Sequence, residues 1–130
     1  MTDKHAVRTE DAPAPFQGAP YSQAIRAGEL VFVSGQLGVR PGSHEMVGET
    51  IEEQTEQVFA NLRAILEAAG SGLDRIVKTT VYLTSLANFQ GMNDVYRRHV
   101  GDVPPARATT EVSGLPSGTL VEIEAIALVR

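Results

Sequence analysis

The sequence predicts a two-layer α+β domain in which two helices cover one face of a mixed sheet of about six strands. Three observations carry this. Segments of strand and helix period alternate in the order β-β-α-β-α-β-β. Only two of them have helical period, too few to cover both faces of a sheet. The length, 130 residues, suits one hydrophobic core and is small for two.

The elements follow from local chemistry. Residues 1–15 mix charges with prolines and are expected to form a loosely ordered extension, leaving residues 16–130 as the single domain. Tyr21 to Arg26, a turn at Ala27-Gly28-Glu29 and the β-branched and aromatic run Leu30-Val31-Phe32-Val33 read as a hairpin. Gly35 interrupts that run, which suggests a bulge or the close approach of another group. Residues 50–69 form the clearest helix. Thr50 and Glu53 make a capping box, and Ile51, Val58, Leu62, Ile65, Leu66 and Ala69 fall on one side.

Beyond Gly70, residues 75–83 alternate as a strand, with Val77, Thr79, Val81 and Leu83 on one face. A second helix is expected from about Leu86 to His99, with Phe89, Met92, Tyr96 and Val100 at helical spacing. Pro104 and Pro105 force an extended entry to a strand over Arg107 to Val112. A turn over 113–118 leads to the last strand, Leu120 to Leu128. Val121, Ile123, Ala125 and Ala127 line one of its faces, and Glu122, Glu124, Ile126 and Leu128 the other.

Composition narrows the function. Without Cys or Trp the chain has no disulfide, thiol nucleophile or thiolate metal ligand. A net charge of -5, with eleven Lys and Arg spread along the chain, disfavours a nucleic-acid partner. His5, His44 and His99 are scattered and expected at the surface, and no metal site is expected. The N-terminus lacks the apolar run of a signal peptide, and no stretch approaches the roughly 20 apolar residues of a membrane span. A cytoplasmic location without membrane attachment is the expectation.

The half-apolar, half-acidic face of the last strand sets a problem. Left bare, Ile126 and Leu128 would be exposed, so a second subunit is expected to cover them, with Glu122 or Glu124 near the boundary. The competing reading makes both glutamates solvated residues of an exposed strand. Arg107 likewise fits either a surface residue or structural ion-pair partner, or a catalytic role.

The chain resembles the reactive-intermediate deaminase family, also called RidA or YjgF. The resemblance rests on Gly18-Ala19-Pro20-Tyr21-Ser22-Gln23-Ala24, Val33-Ser34-Gly35-Gln36, Gln54 to Asn61, Leu66-Glu67-Ala68-Ala69-Gly70 and Val77-Lys78-Thr79-Thr80-Val81. It continues through Phe89 with Asn93 and Tyr96, Pro105-Ala106-Arg107, Leu115-Pro116 and Val121 to Ala127. These strings span residues 18–128 in one order. The resemblance implies a chorismate-mutase-like fold and a homotrimer whose sheets line a central β-barrel, with ligand clefts between subunits. The implied activity, without a cofactor, is hydrolysis of 2-enamine or 2-imino acids such as 2-iminobutanoate and 2-iminopropanoate to 2-keto acids and ammonia.

By the same resemblance, Arg107 holds the substrate carboxylate, a task suited to a planar fork of donors. Glu122 places or activates the attacking water. Tyr21 lines the cleft, and Ser34 and Gly35 lie beside it, where a missing side chain lets groups approach closely. Asn93 either contacts the substrate or ties the second helix to a neighbouring loop. Thr109 stands where many members carry Cys, which argues against a thiol nucleophile; its hydroxyl remains a candidate ligand contact. The alternatives are a regulatory protein that binds a small carboxylate such as a 2-keto acid without turnover, and an endoribonuclease or translation inhibitor. The acidic balance opposes the latter.

Overall fold

A computed structural model describes residues 3–116 and 118–130. Met1 and Thr2 of the expected extension, and Ser117 of the expected 113–118 turn, lie outside the described residues. The six strands are β1 (Lys4–Val7), β2 (Ala24–Ala27), β3 (Leu30–Gln36), β4 (Ile76–Leu83), β5 (Ala106–Glu111) and β6 (Val121–Leu128). The helices are α1 (Ile51–Ala68) and α2 (Phe89–Tyr96). The strands form one sheet in the order β1-β2-β3-β6-β4-β5. Every pairing is antiparallel except β4 with β5, which is parallel. The sheet is therefore mixed and two-layered, as the element order requires.

The core lies between the helices and one sheet face. Val58, Phe59, Leu62, Ile65 and Leu66 of α1 are fully buried against Val31, Val81, Leu83, Val121 and Ile123. Thr50 caps α1 as expected: its hydroxyl accepts from the Glu53 N–H while the Glu53 carboxylate accepts from the Thr50 N–H and hydroxyl.

Three elements depart from expectation. Lys4–Val7, inside the stretch expected to be loose, pairs antiparallel with β2 from Lys4↔Ala27 to Val7↔Ala24. Its apolar signal is weak because it is an edge strand with Lys4, His5 and Ala6 exposed. The segment behind it is pinned by the buried amide of Gln23, which donates to the carbonyls of Thr9, Ala12 and Pro13 and accepts from the Thr9 N–H at 2.8 Å. In β4, a register shift between Ile76 and Lys78 turns Val77 outward, 40% exposed, although strict alternation put it on one face with Thr79, Val81 and Leu83, which are buried. The second helix is shorter than its period suggested: residues Leu86–Asn88 form a 3₁₀ turn, and Phe89 tips out of the core.

Two further buried amides position loops. Gln54 donates to the carbonyls of Gly48 and Gly118 and accepts from the Leu120 N–H, fixing the chain just before β6. Asn61 donates to the carbonyls of Leu37 and Val39, fixing the chain just after β3. Each joins a helix to a loop that carries no regular backbone pairing, which is why a buried amide is tolerated there.

Candidate active site

The register between Val33 and Gln36 of β3 shifts opposite β6, the bulge that the interrupted run predicted. Ser34 and Gly35 lie in it. The Ser34 hydroxyl donates to the Ser22 carbonyl at 2.6 Å and its N–H to the Gln23 carbonyl. At Gly35 a β-carbon would overlap Glu122 Oε2 and stand 2.8 Å from its Cδ. The glycine thus makes room for the Glu122 carboxylate. Gly35→Ala should displace that carboxylate without disturbing the strand. If Glu122 carries proton transfer, a displacement of about an ångström costs on the order of a hundred-fold in kcat/KM at unchanged circular dichroism.

Glu122 opens into a cavity of about 380 Å³ shared with Tyr21, Ser34, Gly35, Gln36, Leu37, Val39, His44, Pro116 and the segment around Phe16. Burial, and then the neighbouring Glu124 charge, push the Glu122 carboxyl above its ordinary range. Among the described residues no cation offsets either effect. The Tyr21 hydroxyl, at the mouth, accepts from the Phe16 N–H at 2.8 Å. Glu124 is more exposed and accepts from the Tyr82 hydroxyl at 3.0 Å.

Arg107 stands elsewhere. Its register partner on β4 is Thr79, which is fully buried on the helix side. Glu122 pairs with Tyr82, three residues further on and therefore on the opposite face. Within one chain, Arg107 and Glu122 lie on opposite sides of the sheet, and Arg107 does not line the Glu122 cavity.

At the β5 edge Arg107 is held by α2. Its Nη1 donates to Asn93 Oδ1 at 2.8 Å, and its Cζ lies 4.8 Å from the Tyr96 ring centre and 5.6 Å from that of Phe89. Tyr96 is in turn bonded to the Thr79 hydroxyl at 2.7 Å. Burial pushes its own hydroxyl up, with Thr79 and then Arg107 pulling back. Thr109, also on this side, has a buried hydroxyl with no hydrogen-bond partner. Asn93 therefore braces the guanidinium and ties α2 to β5.

Phe89 and Tyr96 were legible only as helix-spaced apolar residues. Their spacing with Asn93 puts all three on one face, and only the parallel β5 brings Arg107 under that face. His44, expected at the surface, is half-buried in the cavity wall. His99, also expected there, stacks on Phe59 with ring centres 4.8 Å apart and meets Glu56 at 3.0 Å.

Fold and cavity together define a small α+β protein with a desolvated acid on its open sheet face and a braced guanidinium at its edge strand. The chain belongs to the family described as Endoribonuclease L-PSP, which includes the RutC and Rid proteins; that family's model matches residues 9–129. A RutC family protein of Pyrococcus horikoshii is 48% identical over 124 residues, covering 95% of this chain and 97% of its own. A 2-iminobutanoate/2-iminopropanoate deaminase of Dermatophagoides farinae is 36% identical over 130 residues, the whole of both chains. The crystal structure of a Rid family protein of unknown function from Yersinia pestis superposes with a TM-score of 0.91 at 44% identity, covering 98% of this chain and all of that one.

Proposed function

We propose that the chain is a deaminase that hydrolyses 2-imino acids, the tautomers of 2-enamines, to 2-keto acids and ammonia, at sites completed between subunits of a homotrimer. The observation that carries this is the Glu122 cavity: a desolvated carboxyl against Gly35, with Tyr21 at the mouth and no cation among the described residues of its own chain.

Two features support assembly. The open sheet face carries the cross-strand row Ile25, Phe32 and Ile126, with Leu30 beside Leu128; Phe32 is 42% exposed. Such a surface favours a covering subunit. The edge strand β5 has no neighbour beyond it within the chain. A partner docked there brings its acid cavity to this chain's Arg107, so that a carboxylate on the guanidinium presents its imine carbon to the Glu122 of the other subunit.

In that arrangement Arg107 binds the substrate carboxylate and Glu122, as carboxylate, accepts a proton from the attacking water. The protonated imine carbon is already electrophilic, and addition gives a tetrahedral carbinolamine. Glu122 then returns that proton to the carbinolamine nitrogen, and ammonia leaves as the hydroxyl proton passes back to the carboxylate, giving the 2-keto acid. Ser34 lines the Glu122 cavity with its hydroxyl committed to the Ser22 carbonyl, and Thr109 lies on the Arg107 side of the sheet.

The test generates 2-iminopropanoate in situ from alanine with an amino acid oxidase and traps it with semicarbazide. The protein is expected to lower semicarbazone formation and release pyruvate in proportion. Unchanged adduct alongside measurable pyruvate binding would instead assign a carboxylate-binding regulator. The family description names an endoribonuclease, but the net charge of -5 opposes the binding of a phosphate backbone.

A further inference from the structure

The wall of the acid cavity opposite the reacting groups is built at the expense of backbone strain. Among the described residues, two that are not glycine have left-handed backbone: Gln17 at φ 54° and His44 at φ 59°. One follows Phe16 directly, and the other packs on it. The Phe16 and His44 rings meet edge to face, 6.1 Å apart at 70°. His44 Nε2 lies 2.9 Å from the Ala14 carbonyl, and the Phe16 N–H donates to Tyr21. Strained positions of this kind persist only where surrounding contacts hold them. Here they fix an aromatic side chain, 47% exposed, at the mouth of a cavity that Leu37, Val39 and Pro116 also line.

We infer that Phe16 and His44 form the side-chain subsite of the enzyme, and that its preferred substrates are 2-imino acids with branched or aromatic apolar side chains. This rests on the deaminase reading and names its substrate class. The cavity measures about 380 Å³. A three-carbon imino acid displaces on the order of 100 Å³, leaving space for a guanidinium tip and an apolar substituent. The cavity's carboxyl, Glu122, lies at the Gly35 end and is committed to water, and apart from His44 the other lining residues carry no ionisable group that could pair with a charged substrate side chain at neutral pH. Each methylene buried on such a wall is worth about a four-fold gain in affinity.

The experiment compares imines generated from L-alanine, L-leucine and L-phenylalanine by one amino acid oxidase, with semicarbazide competition as the readout. It also titrates pyruvate and 4-methyl-2-oxopentanoate by calorimetry. The leucine-derived imine, three carbons larger, is expected to exceed the alanine-derived one in kcat/KM by up to about sixty-fold, and the longer keto acid to bind correspondingly more tightly. Phe16→Ala and His44→Gly are expected to bring that ratio towards one. A loss of folded protein cancels from the ratio, so a merely structural effect leaves it unmoved. Turnover of the alanine imine without preference for the larger ones, or a ratio unchanged in both variants, overturns this inference alone. No turnover of any imine overturns the deaminase reading, and calorimetry then decides whether the subsite preference stands for a binder.

Discussion

Replacing Arg107 with Ala is expected to remove nearly all imine hydrolysis while leaving the fold intact. The side chain sits at the sheet edge, outside the apolar core, and contacts Asn93, Tyr96 and Phe89. Truncating one partner of a desolvated guanidinium–carboxylate pair costs about 2–5 kcal/mol, or roughly 30- to 5,000-fold in kcat/KM. The loss should appear chiefly in KM, since the carboxylate is held in both ground and transition states. Arg107→Lys keeps the charge but gives up the fork that satisfies Asn93 and the carboxylate together and the planar stack on Tyr96. It is expected to recover less than about a tenth of the activity. Steady-state kinetics on 2-iminopropanoate, with thermal melting as the control for folding, reads both results.

Glu122→Gln is the second large effect and should fall on kcat. The amide keeps the shape packed against Gly35 but cannot take a proton from water, and losing a general base costs on the order of 10²- to 10⁴-fold. A pH profile adds a sign. The active form is the carboxylate, so kcat/KM should fall as pH drops through the Glu122 pKa. Burial, followed by Glu124, raises that pKa above the ordinary 4.5, placing the acid limb above that value. Glu124→Gln removes the second cause, a like charge, and should move the limb to lower pH. A limb that stays in place in Glu124→Gln would separate the observed ionisation from Glu122.

The parts of this design differ in how plainly residues announce them. The helix at Ile51–Ala68 is unambiguous because its cap and its apolar stripe agree. The acid-bearing face of β6 is equally plain from strict alternation. The bulge at Ser34–Gly35 was marked by a glycine in a β-branched run, and the structure gives it a reason in the Glu122 carboxylate. Lys4–Val7 was not legible because an edge strand with exposed side chains has no apolar period. Val77 was grouped with Thr79, Val81 and Leu83, and the structure separates it from them because a one-residue bulge reverses the face of everything before it.

Arg107 and Glu122 were named from resemblance, and no spacing could have revealed their separation. That separation depends on β5 being parallel to β4 and on which residue opposes Thr79, a tertiary register that local sequence does not carry. The network of Asn93, Tyr96 and Phe89 around the guanidinium was hidden for the same reason.

The central claim is that one site draws its guanidinium and its carboxyl from two different chains. Arg107→Ala and Glu122→Gln proteins, each inactive alone, should be dissociated, mixed in equal amounts and reassembled, and imine hydrolysis then measured. If neighbouring subunits share each site, random reassembly pairs an intact Arg107 with an intact Glu122 at about one site in four, and activity returns to about a quarter of the wild-type level. Mixed assemblies no more active than the separate variants would contradict the account.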